Sequence, residues 1–319
     1  MSIGTDCATH RDVITGKVEK SDVILTGSKA QLIKIADKLK HQPFRLSILG
    51  KKIAEQINIQ NNKSTKLAGI LNVTPDSFSD GGKYYKLSDA QKHVMQMIED
   101  GADLIDIGAE STRPNANDVT AKEQIRRLKP ILNFIQNEKP DIKVSVDTRS
   151  SEVADFVLNN GANIINDVSG FVYDDKMPDI ISKYNAGVVI QHSKDCPQTM
   201  QNNPVYENVA EEVYKFLMSK IKIAEEFGIK EIIVDPGIGF GKTREHNFEI
   251  LERIEEFYSL GCPVMVGISR KSLLGISDNN NELKDTLSTV LSYPLVQKGV
   301  DYLRVHNIKL HKHMLNLIQ

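Results

Sequence analysis

Short apolar segments alternate with longer amphipathic segments along most of the chain. The short segments read as buried parallel strands, and the longer ones carry the ~3.6-residue periodicity of helices with one apolar face. The predicted strands span 67–72, 103–107, 142–147, 163–167, 187–191, 231–235, 263–267 and 301–305. The predicted helices span 88–100, 120–137, 150–159, 176–184, 206–227, 244–258, 282–298 and a final segment from about 307.

Eight strand–helix units between residues 67 and 319 are typical of a (β/α)8 TIM barrel, which takes roughly 250 residues. A doubly wound open sheet shows the same alternation and is the alternative from periodicity alone. The strand ends favour the barrel, because a barrel brings the C-terminal ends of its strands to one mouth. Polar residues end almost every predicted strand: Asn72, Asp106, Asp147, Asn166, His192, Asp235, Ser269, Arg270, Lys271, Arg304 and His306.

Residues 1–66 precede this pattern as a short N-terminal extension. They hold 12 Lys and Arg against 6 Asp and Glu, a net charge of +6, which leaves −8 for the remainder. Apolar spacing predicts a strand at 23–27, helices at 28–40 and 46–57, and a polar linker at 58–65. Because the lysines are dispersed over amphipathic segments, they indicate solvated helix faces rather than a nucleic-acid site.

Composition narrows the class of protein further. Hydrophobic residues make up 40% of the 319 residues, enough for a large core. No apolar run approaches the ~18–20 residues that span a membrane, and the first residues lack the pattern of a secretory signal. Cys7, Cys196 and Cys262 show no CxxC spacing and are predicted to be buried, reduced thiols. We therefore expect a cytoplasmic protein without a membrane or nucleic-acid partner.

The first predicted strand runs into Asn72–Gly82, where Pro75 and two glycines prevent helix or sheet from continuing. Asn72 ends the strand, where its side-chain oxygen can reach a ligand or a hard cation. The Asn-x-Thr triplet is also a glycosylation acceptor, but nothing in the sequence indicates secretion. This segment resembles the first signature of the dihydropteroate synthases, pterin-binding enzymes of folate synthesis that sulfonamides inhibit.

Two later segments extend the resemblance. Thr112, Arg113 and Pro114 follow the second predicted strand and match the second mobile loop of that family. Residues 233–243 end like a Walker A loop, but Pro236 stands where that loop requires its first glycine, so a P-loop is not predicted. The same residues match a dihydropteroate synthase signature.

The resemblance implies roles for the strand ends around two substrates. It implies pterin binding by Asp106, Asp147, Asn166, Asp235 and Lys271. It implies contacts to the substrates from Thr112, Arg113 and Pro114, and a pocket for the second substrate lined by Phe240. Ser272 stands where a helix N-terminus would hold a carboxylate. Arg304 and His306 would bind a diphosphate, because barrels often bind phosphate after strands seven and eight. Arg113, Lys271, Arg304 and His306 are the predicted catalytic residues.

These residue types suit a pterin. Its edge presents an N–H beside an exocyclic amino group, and a carboxylate such as Asp147 or Asp235 accepts two parallel hydrogen bonds from such an edge. Asn166 offers both a donor and an acceptor to the rest of the ring. Two histidines of the last predicted helix, His311 and His313, are expected to be exposed helix residues rather than metal ligands.

The implied reaction condenses 6-hydroxymethyl-7,8-dihydropterin diphosphate with 4-aminobenzoate to give 7,8-dihydropteroate and pyrophosphate. The resemblance also implies Mg²⁺ held through Asn72 and a homodimer. It covers residues 67–319, the predicted pterin-binding catalytic domain. The chain departs from the family at Gln191 and Ser193, where methionines are usual. These departures leave a catalytically degenerate pterin-binding paralogue as one alternative. A pterin-binding methyltransferase domain on a similar barrel, which would share the pterin-facing acids, is the other.

Overall fold

The computed structural model describes residues 6–13, 15–19, 21–43, 46–61, 64–74, 87–110, 118–194, 199–201, 203–276 and 280–318. The chain divides into two compact units, Met1–Lys63 and Ser64–Gln319. Within the described ranges, no helix combines the length and the apolar character needed to cross a membrane.

The first unit contains a two-stranded sheet and two helices. Strand β1 (Asp6–Thr9) pairs antiparallel with β2 (Val23–Thr26), and a 3-10 turn (Arg11–Val13) lies between them. Helix α1 (Lys29–Lys40) packs against α2 (Leu46–Asn61).

Local sequence explains both helices of this unit. Ser28 begins α1 with a capping box, in which its hydroxyl accepts the Gln31 N–H and Gln31 accepts the Ser28 N–H. Gly50 lets α2 approach α1 closely, because a Cβ there would lie 2.6 Å from the Ala36 carbonyl oxygen. The structure differs from the sequence-based prediction in two places. It contains β1, which was not predicted, and residues 58–61 continue α2 where a linker was expected.

The second unit is an eight-stranded parallel barrel surrounded by helices. Its strands are β3 (Lys66–Asn72), β4 (Leu104–Gly108), β5 (Lys143–Asp147), β6 (Ile164–Asp167), β7 (Gly187–Gln191), β8 (Ile232–Asp235), β9 (Met265–Val266) and β10 (Tyr302–Val305). Its α-helices are α3 (Leu87–Glu99), α4 (Ala121–Glu138), α5 (Ser151–Asn159), α6 (Met177–Lys183), α7 (Val209–Glu226), α8 (Arg244–Glu252), α9 (Asn281–Gln297) and α10 (Ile308–Ile318). Two 3-10 helices span Ile254–Leu260 and Ser272–Leu274.

Strand order confirms the TIM barrel and excludes the open sheet. The order is β8-β7-β6-β5-β4-β3-β10-β9, with every neighbouring pair parallel. A parallel bridge between Val234 and Val264 joins β8 to the residue before β9 and closes the ring. The largest apolar core lies between the strands and the surrounding helices, as this fold requires.

Two minor expectations about side-chain exposure were wrong. His311 is fully buried, because α10 turns it toward α9, where its Nε2 lies 3.2 Å from the Ser292 hydroxyl. Cys7 is exposed on the small β1–β2 sheet, and Cys262 is partly buried. Cys196 lies outside the described residues.

Candidate active site

The polar residues at the strand ends lie above an apolar layer in the barrel interior. That layer consists of Ala68, Leu104, Ile164, Val189, Ile233 and Met265. Side chains alternate between the two faces of a strand, so the residue two positions later points into the same interior. The next layer toward the mouth therefore includes Asp106, Asn166, Gln191 and Asp235, and all four are buried.

Arg304 joins two of the acids at the centre of this layer. Its Nε donates to Asp106 Oδ2 at 2.6 Å, and its Nη2 donates to Asp147 Oδ2 at 3.1 Å. Asn166 Nδ2 lies 3.3 Å from Asp106 Oδ2. Three strands, β4, β5 and β10, thus contribute to one buried ion-pair cluster. This arrangement brings together four of the predicted substrate-binding residues.

Burial decides the protonation of Asp147. It raises the pKa of this carboxyl to about 7, although Arg304 opposes the shift and Asp106 adds to it. Desolvation disfavours the charged form of a buried carboxyl, and a neighbouring negative charge acts in the same direction. Asp147 therefore holds its proton to a higher pH than an exposed aspartate does, and pKa values shifted in this way are common at functional sites.

A second polar group surrounds Asp235 at the end of β8. Its Oδ1 accepts the Gly237 N–H at 2.7 Å, and burial raises its pKa. Lys271 donates to the Ile238 carbonyl and lies over the Phe240 ring, 4.5 Å from the centroid. The ammonium end of Lys271 is enclosed, which lowers its pKa to about 8. The structure thus brings three predicted substrate-binding residues together on this side of the mouth.

The residues after β9 and β10 separate into two groups. His306 Nδ1 lies 3.0 Å from the Ser269 hydroxyl, which also accepts the His306 N–H. Arg270 makes a two-point ion pair with Asp285 on α9, at 2.7 and 2.8 Å. Arg270 is therefore structural, and His306 remains the candidate ligand for an anion.

Ser272 does not begin an α-helix, although a helix N-terminus was expected there. The residue begins a 3-10 turn of three residues, and its side chain is exposed. A turn of this length has too few aligned peptides to provide the dipole of an α-helix. Ser272 therefore has no helix N-terminus with which to hold a carboxylate, and its contact to substrate stays a prediction.

Asn72 lies next to the acid cluster. A Cβ on Gly108 would come 3.4 Å from Asn72 Oδ1 and 3.7 Å from the Asp147 Cβ, so these two side chains flank the same glycine. The amide oxygen of Asn72 is thus near the mouth and half-buried. Within the described part of the chain, no group of three or more His, Cys, Asp and Glu residues could hold a metal ion.

Thr112, Arg113 and Pro114 lie outside the described residues, and their predicted contacts stay predictions. Arg149, which was not predicted as a site residue, binds residues on both sides of that segment. Arg149 Nη2 donates to Asp118 at 2.6 Å, and its Nε lies 3.6 Å from Glu110. The available signal was a basic residue two positions after Asp147 in the Val144–Arg149 motif.

Comparison with known proteins identifies the family. Residues 68–306 match the model of the family described as pterin binding enzyme. A dihydropteroate synthase from Clostridium beijerinckii is 41% identical over 260 residues, which is 80% of this chain and 93% of that protein. The chain belongs to the pterin-binding enzyme family.

Other members of the pterin-binding enzyme family match a longer part of the chain. A probable bifunctional folylpolyglutamate synthase/dihydropteroate synthase from Haloferax volcanii is 36% identical over 336 residues. The match covers 97% of this chain but only 39% of that protein, so the chain spans well under half of that bifunctional relative.

Solved structures support the same assignment. The Yersinia pestis dihydropteroate synthase in complex with a sulfonamide drug has a TM-score of 0.75 and 32% identity, covering 79% of this chain and 92% of that one. The Xanthomonas albilineans dihydropteroate synthase in complex with 7,8-dihydropteroate has a TM-score of 0.70 and 32% identity, with the same coverage of both chains.

Two features distinguish the mouth of this pterin-binding enzyme from the sequence-based expectation. Gln191 is buried, and its Nε2 has no hydrogen-bond partner among the described residues. Next to it, His192 contacts the buried side chain of Lys242. In the sequence, Lys242 stands out only as the lysine of the Walker A-like segment, which predicts no role for it without a P-loop.

Proposed function

We propose that this protein is a transferase of folate biosynthesis that makes 7,8-dihydropteroate from 6-hydroxymethyl-7,8-dihydropterin diphosphate and 4-aminobenzoate. The bond between the pterin methylene carbon and the diphosphate oxygen breaks, and its electron pair leaves with pyrophosphate. The aromatic amine nitrogen forms the new bond to that carbon and then loses a proton. No oxidant or reductant is needed, because the reaction is a substitution.

One observation carries this proposal: a buried Asp106–Arg304–Asp147 cluster lies at the mouth of a pterin-binding barrel. Asp147 and Asp235 provide acceptors for the N–H groups of a pterin edge, and Asn166 provides the adjacent mixed donor and acceptor. As the carbon–oxygen bond breaks, positive charge spreads into the pterin, and fixed carboxylates stabilise it.

Arg304 and His306 are placed to stabilise the leaving group. A guanidinium has more N–H donors than the two bonds to Asp106 and Asp147 use, so Arg304 can bind the acids and an anion together. His306 extends from the same strand end beside Ser269. Cationic and N–H donors aimed at a departing oxyanion lower the barrier more than they strengthen ground-state binding.

The second substrate is assigned to the side of Lys271 and Phe240. A flat aromatic amine packs against an apolar ring, and its carboxylate is attracted by the nearby ammonium. The amine is already unprotonated near neutral pH, so the reaction needs no dedicated strong base. Phe240 packs with Val168 and Met200 in a small apolar cluster, which keeps this wall rigid.

Magnesium fits the residues present, although the protein supplies few ligands. Mg²⁺ prefers oxygen donors and commonly uses one or two protein groups together with substrate phosphates and water. Asn72 offers one amide oxygen next to Asp147, which suits that pattern. Asn72 would hold the ion, which would supply charge neutralisation at the diphosphate.

An assay with both substrates tests the proposal against its alternatives. Incubation should release pyrophosphate and form dihydropteroate in equal amounts. A pterin-binding methyltransferase domain would form neither product, and a degenerate paralogue would bind a pterin without turnover. If the purified protein binds pterin diphosphate but yields no pyrophosphate with 4-aminobenzoate, the proposed reaction is wrong.

In the same assay, Arg304→Ala tests whether Arg304 stabilises the diphosphate leaving group. We expect turnover to fall by a factor on the order of 10²–10³, because charge grows where Arg304 acts. Binding of an unphosphorylated pterin should change far less. Arg253→Ala is the matched control, since Arg253 also pairs with two carboxylates, Glu249 and Glu256, but lies away from the mouth. Unchanged turnover in Arg304→Ala would contradict the assignment.

The remaining properties rest on the sequence. We propose a homodimer, as the family resemblance implies, and sedimentation of the purified protein tests it. We also propose a cytoplasmic location, because three cysteines without paired spacing suit a reducing compartment. Localisation of the tagged protein tests this second proposal.

A further inference from the structure

The segment between β8 and α8 follows a path that three glycines make accessible. Gly237, Gly239 and Gly241 have φ values of +71°, +82° and +60°, in the left-handed region that other residues rarely adopt. A Cβ on Gly237 would lie 1.8 Å from the His192 carbonyl oxygen, so the segment also runs very close to the end of β7. Glycine permits this backbone conformation, but it has no side chain that could stabilise it.

Every backbone carbonyl from residue 237 to residue 241 accepts a hydrogen bond from a side chain outside these five residues. Lys271 binds Ile238, Gln201 Nε2 binds Gly239 at 2.9 Å, and the Tyr206 hydroxyl binds Gly241 at 2.7 Å. Lys242 binds the remaining two, at Gly237 and Phe240, both at 2.9 Å. These side chains come from four places in the sequence, and Lys242 alone binds two carbonyls.

Lys242 is buried, and its ammonium has acceptors on several sides. Besides the two carbonyls, its Nζ lies 2.9 Å from His192 Nδ1 and 3.5 Å from the His192 carbonyl oxygen. A buried ammonium is costly unless its N–H groups are bonded, and here they are. The contacts join the end of β7 to the turn after β8, beyond the point where these two strands pair.

We propose that Lys242 is a positioning residue that fixes the 237–241 turn, and with it Phe240 and the Ile238 carbonyl, against Lys271. The inference rests on the proposed function for the substrate that Phe240 contacts. The two lysines bind different carbonyls of the turn: Lys242 binds those of Gly237 and Phe240, and Lys271 binds that of Ile238, which lies between them in the sequence. Loss of Lys242 removes a donor from the Phe240 carbonyl and leaves the Gly237 carbonyl bonded to the Phe240 N–H at 3.1 Å, which loosens the Phe240 end of the turn.

The charge state of His192 follows from the same contact. Burial lowers the pKa of Lys242, and the charge of Asp235 opposes that shift. In its ammonium form Lys242 donates only, which makes His192 Nδ1 the acceptor and places the ring proton on Nε2. Burial and the Lys242 charge both lower the pKa of His192, to about 2, which keeps the ring neutral. The ring also packs edge-on against Phe216, with centroids 4.9 Å apart, so it is a rigid acceptor.

Lys242→Met tests the proposal, since methionine fills similar space without N–H groups. We expect the KM for 4-aminobenzoate to rise at least tenfold, while the Kd for pterin diphosphate, measured by calorimetry, changes less than threefold. A general loss of structure would change both together. Lys298→Met is the matched control, because Lys298 Nζ also binds backbone carbonyls, at Leu251 and Glu252, but outside the mouth. This control should change neither constant.

The outcomes separate the two proposals. An inactive wild-type protein contradicts the reaction, whereas an active one with unchanged constants in Lys242→Met contradicts only the role of Lys242. If the variant does not fold, nitrogen NMR of the wild-type protein decides instead. The role of Lys242 requires His192 to carry its proton on Nε2 throughout pH 5.5–8.5, and a protonated Nδ1 overturns it.

Discussion

Asp147 shows how position in the fold sets the chemistry of a single residue. Its sequence context identifies only a carboxylate at the end of a strand. The structure adds a partly buried Arg304 and the neighbouring acid Asp106, and burial raises the Asp147 pKa to about 7. The side chain therefore accepts hydrogen bonds as a carboxylate above this pH and loses acceptor capacity below it.

We expect pterin affinity to fall as the pH drops below about 7. A raised pKa means that Asp147 holds its proton up to higher pH, so binding to the carboxylate form must displace that proton. Affinity should then decrease ~10-fold per pH unit well below 7. Calorimetry between pH 5.5 and 8.5, with an analogue that does not titrate in this range, measures the effect.

Two variants test whether Asp147 and Asp235 bind the pterin. Asp147→Asn should bind the analogue weakly and without the pH dependence, because an amide cannot accept through both heads. Asp235→Asn should also weaken binding, for the same reason. Asp155→Asn, at an exposed ion pair with Lys183, is the control and should match the wild type. Wild-type affinity in both site variants would exclude these acids from pterin binding.

The sequence predicts which residues lie at the mouth but not their pairings. Strand ends converge by a general rule of the fold, so Asp106, Asp147 and Arg304 could be placed there. Their ion pairs depend on side-chain reach between strands almost 200 positions apart in the chain, which no local pattern encodes. Lys242 was missed for a related reason: its partners, at His192 and Gly237, become neighbours only after two strands pair.

At the scale of the elements, the two ends of the barrel differ in role: the mouth carries the candidate active site, and the opposite end carries contacts that stabilise the strands. At the end opposite the mouth, side chains placed just before three strands accept a backbone N–H from the neighbouring strand. Asp103 accepts from Leu67, Asn163 from Val144 and Asp301 from Val264, at 2.8–2.9 Å. These bonds satisfy backbone N–H groups at the strand starts, where a side-chain oxygen takes the place of a backbone carbonyl as the acceptor.

Asp301→Ala should destabilise the barrel and leave catalysis intact. Asp301 is buried, so its removal leaves the Val264 N–H without a partner, and we expect a loss of about 1–3 kcal/mol in the free energy of unfolding. Asp103→Ala is the comparison, because Asp103 is exposed and water can replace it. Urea unfolding and kcat at low temperature measure both effects. A larger loss in the exposed variant, or reduced kcat in either, would contradict this division.

Element boundaries in the second unit follow from hydrophobic periodicity, with small differences that have local causes. The helix predicted at 244–258 ends as an α-helix at Glu252 and continues as the 3-10 helix Ile254–Leu260. Strand β9 has only two residues, although a five-residue run was predicted, because Pro263 lacks an N–H and Gly267 ends the apolar run. β1 was missed because Asp6–Thr9 is a short, largely polar segment.

For the whole molecule, the question is what Met1–Lys63 contributes. The predicted catalytic residues all lie in Ser64–Gln319, which contains the complete barrel. The first unit buries Ile35 and Ala36 but exposes Val23, Ile24, Ile33 and others. Its separate role stays a prediction.

Deletion of residues 1–60 should leave the specific activity of folded protein near the wild-type value. Solubility, thermal stability or assembly should suffer instead, because such a deletion changes which apolar surface meets water. Steady-state kinetics, thermal unfolding and light scattering on the truncated protein measure these effects. A soluble truncation that binds pterin normally but forms no dihydropteroate would show that the extension contributes to the site.

The turn at residues 237–241, whose five carbonyls all accept side-chain hydrogen bonds, also limits how the enzyme can evolve. Its glycines cannot change without moving the backbone, and Ile238 is fully buried in the main core. Phe240 is therefore the position where the turn can alter its surface while keeping its path. Adaptation of the proposed 4-aminobenzoate pocket would act through this side chain before it could act on the turn that carries it.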